Sequence, residues 1–199
     1  MSSFKQNPVI NAFYDFVESK INEDWTAYLT TAMFHPLSGS YLWKVSQMKS
    51  EMAKVYNFFL PRIVRYPNPK RHEAMLIGMP DLPVDWKSKS HDGAHFHGIL
   101  LIPPKSRLKT SIKRHFKDYS TDVWLDDNLI DRVNFELITI KSSRNATDYV
   151  FKGLDRYLPC DEYVWSWGCR SYVHVQVSWR PTAPRIAKKG RAEAIGAAA

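Results

Sequence analysis

The sequence predicts an α+β domain, an antiparallel sheet covered by helices. Three observations support this. Short β-prone runs alternate with longer segments whose apolar residues recur at helical spacing. Residues 172 to 179 switch strictly between apolar and polar, the period of a strand with one buried face. No repeat at a fixed period suggests a solenoid. The chain of 199 residues, 44% hydrophobic and 14% aromatic, is long enough for one domain with a substantial core, assigned to 1–180.

The elements follow in order. Val9, Phe13, Phe16 and Val17 give residues 8–22 an apolar helical stripe. Thr26, Ala27, Leu29, Thr30 and Thr31 form a β-prone run ending near the turn signals Pro36 and Gly39. From Trp43 to Leu60 the helical stripe is Trp43, Met48, Met52, Val55 and Phe59, and Pro61 is expected to stop it. Residues 72–79 (HEAMLIGM) and 95–102 (HFHGILLI) read as two strands joined by a polar loop. Leu108, Ile112, Phe116 and Tyr119 predict a helix over 105–119 whose other faces are basic. A strand over 132–140, a helix over about 145–157 and the strand over 172–179 complete the domain. Residues 181–199, basic and then alanine-rich, read as a tail or a linker to a further domain.

Charge narrows the functional classes. Lys and Arg total 28 against 20 Asp and Glu, a net charge of +8, which favours a polyanionic partner, nucleic acid or an anionic membrane. No apolar run is long enough to span a bilayer and no signal peptide is evident at Met1 to Gln6, so a soluble, cytoplasmic protein is expected. Cys160 and Cys169 are too few for a disulfide framework or a four-cysteine zinc site and read as buried thiols. No GxxxxGK[ST] loop is present, so ATP-driven unwinding is not assigned to this chain.

Two short patterns carry chemistry. His95 and His97 lie two apart in a strand, so both imidazoles leave the same face and can converge on one divalent ion, while Phe96 points into the core. Alone, the pattern equally fits two solvated or core histidines. The second is Tyr149-Val150-Phe151-Lys152, where helical spacing of three sets a phenol beside an ammonium. A phenol is a poor nucleophile and needs a neighbouring charge or a metal-polarised phosphate; alone, Tyr-x-x-Lys is also a common surface pair.

Taken in this order and on these elements, H-F-H of His95 to His97 and Y-V-F-K of Tyr149 to Lys152, about fifty residues later, resemble the HUH endonuclease superfamily, in particular single-tyrosine rolling-circle replication initiators. The strand Tyr28-Leu29-Thr30-Thr31 looks like the family's first, weaker motif. The resemblance spans roughly residues 26 to 180. It implies a central five-stranded antiparallel sheet with an RRM-like core and the tyrosine helix beside the histidines. It further implies Tyr149 as the nucleophile that forms a 5′-phosphotyrosine and frees a primer 3′-hydroxyl, Lys152 as its assistant, and Mg²⁺ or Mn²⁺ on His95 and His97. Relatives often supply a third ligand as a carboxylate near the end of the preceding strand. Asp81 is the nearest acid here, with Glu73, His91 and Asp92 as further options. Tyr157, eight residues after Tyr149, does not have the spacing of a two-tyrosine site and is expected to pack at the helix end.

The partner implied is single-stranded or hairpin-extruded origin DNA, with unwinding left to a separate helicase and no role for a membrane. Lys105, Arg107, Lys109, Lys113, Arg114 and Lys117 form one basic run and Arg62, Arg65, Lys70 and Arg71 another; each suits phosphates or is a solvated face. Trp124, Trp165 and Trp167 could stack unpaired bases, although core packing is the stronger expectation for each. The same catalytic parts serve conjugative relaxases and single-tyrosine transposases, and a sheet with basic helices also suits a non-catalytic module that binds single strands.

Overall fold

The computed structural model describes residues 7–65, 74–82, 93–123, 129–156 and 164–167. In chain order these form α1 (Pro8–Asn22), β1 (Thr26–Phe34), α2 (Tyr41–Ile63), β2 (Met75–Asp81), β3 (His95–Ile102), α3 (Ile112–Val123), β4 (Ile130–Ile138), α4 (Ile140–Val150), a 3₁₀ turn (Lys152–Arg156) and β5 (Trp165–Trp167). The five strands make one antiparallel sheet in the order β4-β1-β3-β2-β5, as the α+β expectation required. No helix among the described residues is long and apolar enough to cross a membrane.

Strand alternation assigns the two faces. On one, Phe135 of β4 meets Phe59 of α2 and Phe116 of α3 at ring-centroid distances of 5.9 and 5.4 Å, so α2 and α3 cover this side. On the other, α1 and α4 pack together: Phe13 stacks on Phe151 at 4.2 Å, and the Arg144 guanidinium donates to Asn11 Oδ1 at 2.7 Å. The tyrosine-bearing segment is thereby braced by the helix that precedes the first strand. A stacked aromatic pair of this kind contributes about 1 kcal/mol beyond the area it buries.

Helix boundaries moved where capping outweighed periodicity. Helix α2 starts earlier, with Ser40 Oγ accepting from the Trp43 amide at 3.3 Å, and it runs through Pro61 rather than stopping there. The proline forfeits one backbone bond, but Phe59 and Ile63 are buried, and Arg107 donates to the carbonyls of Ile63 and Pro61, two of the helix-end acceptors. Trp43, expected in the core stripe, is 59% exposed. Helix α3 begins at Ile112, where Ser111 Oγ accepts from the Arg114 amide, so Lys105, Arg107 and Lys109 precede the helix. Helix α4 begins at Ile140, after the Thr139 amide donates to Ser142 Oγ at 2.9 Å, and ends at Val150 instead of 157. The strand expected at 172–179, the tail 181–199, Tyr157, Trp124 and both cysteines lie outside the described residues.

One packing detail anchors the central strand. Phe96 is fully buried, and its ring covers the paired glycines Gly78 and Gly98 while lying parallel to Trp165 at 5.8 Å. Trp165 is therefore core, as the sequence suggested. A β-carbon at Gly98 would meet that ring at 2.6 Å, and one at Gly78 would also press on the carbonyl oxygen of His97. Backbone cannot yield as a side chain does, so Gly78→Ala should lower stability by about 1–3 kcal/mol, read from the midpoint of a urea melt. An unchanged midpoint would show that the ring does not depend on those glycines.

Candidate metal and tyrosine site

Pairing in the sheet brings the candidate ligands together. In β3, His95 and His97 project from the face opposite Phe96; across the ladders His95 pairs with Asp81 and His97 with Thr31. Asp81, His95 and His97 present ligand atoms that all lie within 4.8 Å of one another, a group able to hold a metal ion. Asp81, the nearest acid in sequence, thus joins the two histidines, whereas Glu73, His91 and Asp92 fall outside the described residues.

Two features test the fit to a cation. His97 Nε2 and His95 Nδ1 are buried and have no hydrogen-bond partner among the described residues, a costly condition for polar atoms unless something else satisfies them. His97 Nε2 faces Asp81 Oδ2 at 3.5 Å, long for a hydrogen bond. The other ring nitrogen, Nδ1, lies 3.3 Å from Thr31 Oγ1. With Nδ1–H donating to that hydroxyl, the Nε2 lone pair is turned toward Asp81, the orientation a ligating histidine takes from its outer partner. Two imidazoles and one carboxylate are a donor set suited to a divalent ion of borderline softness.

Lys152 and Tyr149 reach the same place. The Lys152 ammonium lies 2.6 Å from Asp81 Oδ2 and 4.7 Å from the centroid of the Tyr149 ring, and that ring meets His97 edge-on at 4.5 Å. Because α4 ends at Val150, Lys152 opens the 3₁₀ turn; it meets Tyr149 from there and not through helical spacing. Helix α4 gets close to the sheet because its inward residues are small: Ser143, Ala146, Thr147 and Val150 are buried. The two hydroxyls are satisfied by carbonyls within the helix at 2.8 Å. Tyr149 remains 44% exposed, open to a large substrate.

The local fields are consistent with ligand duty. In the metal-free chain a His97 ring with its proton on Nε2, the alternative tautomer to the ligating one, and after it the Lys152 ammonium hold the Asp81 carboxyl well below the usual carboxylate range against the opposing effect of burial. Burial, with the adjacent His97, lowers His95 and so favours its neutral, ligating form. The role of Thr31 and the Asp81–Lys152 pair were not readable from the sequence; β1 parity was the available signal for Thr31, and it becomes informative only once the register is known.

The expected basic surface divides. Phe116 fixes α3 on the opposite face of the sheet, so Lys113, Arg114 and Lys117 do not share a layer with the histidines.

Both His95 and Asp81 favour their metal-binding forms in the folded chain. A folded pKa below the ordinary value means that stability is full above that value and is lost as pH falls. Protons compete with the metal for the ligands of the folded chain, so titration with Mn²⁺ by calorimetry should show affinity that is level near neutrality and falls only in acid, with His95 giving way below the ordinary histidine value of 6.5 because its folded pKa is lowered. Thr31→Val should weaken Mn²⁺ binding roughly 10-fold, with a larger loss for His97→Ala; equal affinity in all three proteins would remove the metal assignment. No family model, curated protein or solved structure matches this chain, so the chemistry of the site has to be read from its own geometry.

Proposed function

We propose that this chain is a metal-dependent, site-specific single-strand DNA endonuclease and strand transferase of the HUH type, which nicks a replication origin to start rolling-circle replication. The observation that carries this is the convergence of Tyr149, Lys152, His97 and Asp81 through contacts of 2.6 to 4.7 Å from four separate elements. The motif resemblance and the net charge of +8 support the choice of nucleic acid.

In this reading the Tyr149 oxygen attacks the scissile phosphorus. The new bond is a phosphotyrosine ester at the 5′ end, the P–O3′ bond breaks, the phenolic proton passes to solvent, and the 3′ oxygen leaves as a hydroxyl after taking up a proton. Attack by the 3′-hydroxyl on the same phosphorus reverses the sequence and rejoins the strand. Asp81, His95 and His97 would hold Mg²⁺ or Mn²⁺, which when bound polarises the phosphate. Lys152 offsets charge developing on the phenolic oxygen. A single strand bends its phosphate into such a site more readily than a duplex, so single-stranded or hairpin-extruded DNA is the substrate, with a separate helicase providing unwinding.

The test is a denaturing-gel assay with a library of single-stranded oligonucleotides and Mn²⁺. The wild-type chain should form a covalent protein–DNA adduct, and Tyr149→Phe should abolish it. His95→Ala with His97→Ala should lower adduct formation by at least about 10²-fold while DNA binding persists. An undiminished adduct in Tyr149→Phe would refute the nucleophile.

A further inference from the structure

We infer that the exposed histidine-side ladder of β4, Arg132 with Asn134, is the track that holds the single strand beside the cleavage site. The inference rests on the nuclease reading for the identity of the strand, and its evidence is the register of the sheet.

Pairing through β1 sets Arg132 opposite Met33, which in turn pairs with His95 and then Asp81. Asn134 is set opposite Thr31, which pairs with His97. Directly paired residues share a face, so Arg132 and Asn134 extend the two histidine rows outward by two strands, about 10 Å. Both side chains are exposed, Arg132 at 69%. They stand about 7 Å apart along the strand, the scale of one nucleotide step in an extended chain.

Their chemistry differs in a useful way. The Arg132 guanidinium, held through its Nε by Met33 Sδ at 2.9 Å and more loosely by Asp131 Oδ2 at 4.0 Å, offers the outer fork of its donors to a phosphate. Asn134 donates through Nδ2 to Glu136 Oε1 at 3.2 Å, which orients its amide and turns Oδ1 outward as an acceptor. Such an acceptor matches the exocyclic amino group of adenine or cytosine and finds no donor of that kind on thymine. Glu136, exposed next along the same ladder, repels phosphate. The strand is therefore guided past Arg132 toward His95 and Asp81 and not toward the other end of β4. The cations of α3, behind the sheet, take no part in this track.

The test uses the full-length chain and a fluorescent mixed-sequence single-stranded oligonucleotide, with binding read by anisotropy in EDTA. Arg132→Ala should weaken binding roughly fivefold and make the salt dependence shallower by about one ion, whereas Lys49→Ala, the same charge change on α2, should stay within about twofold of wild type. Asn134→Ala should erase a preference of the wild-type chain for oligo-dA and oligo-dC over oligo-dT. Unchanged binding in Arg132→Ala, an equal loss in Lys49→Ala, or no base preference to erase would each overturn the track. A binding loss confined to Arg132→Ala, in a protein that forms no covalent adduct, would leave the track standing and defeat the nuclease reading instead.

Discussion

The alternation of side chains along β3 is the constraint from which the site is built. A period of two sends Phe96 to one face and His95 and His97 to the other. What fixes the strand is not the histidines but the buried phenylalanine between them, seated over Gly78 and Gly98 and covered by Trp165. A slip of one residue against β2 or β1 would turn both imidazoles toward α2 and α3 and take Phe96 away from Gly78, Gly98 and Trp165. The packing of Phe96 on one face therefore fixes where the imidazoles stand on the other.

The second requirement is that a helix remote in sequence come close to that polar face. Helix α4 achieves this by presenting Ser143, Ala146, Thr147 and Val150 to the sheet, with small side chains allowing close approach. The two hydroxyls are not buried at full cost, since each donates to a carbonyl of its own helix. The far side of the helix is held by α1, through Phe13 on Phe151 and Asn11 on Arg144. Orientation of Tyr149 thus depends on residues more than a hundred positions away.

The same features explain what could be read beforehand. Strands β2 and β3, the histidine parity, the Phe96 anchor and the order of elements were legible, because short apolar runs bounded by turn signals, and the parity of residues within them, are local signals. The start of α4 was not: its inward face is made of Ser, Ala and Thr, so the apolar stripe is absent where the helix is most buried, and periodicity placed the helix at 145–157. The helix predicted from 105 failed for a related reason. Leu108 fits the stripe and packs partly against the core, but Ser111 caps the chain and sets the first turn later. In the site, Asp81 was legible as the nearest acid. Its bond to Lys152 depends on the 3₁₀ turn after α4, a feature without a period of its own.

Charge placement around the carboxylate gives the site a further property. Asp81 lies between one imidazole and one ammonium, and the ammonium also lies over the aromatic face of Tyr149. Lys152 is therefore shared between the Asp81 carboxylate and the aromatic face of Tyr149. A cation held by Asp81 and the histidines would lie near the Lys152 ammonium, and two positive charges repel at short range. Such a cation would weaken the hold of Asp81 on Lys152, whose ammonium already lies over the Tyr149 ring. On the proposed chemistry the ion pair would then link a bound cation to the electrostatics around Tyr149 without a change of fold, through a lysine that is 37% exposed.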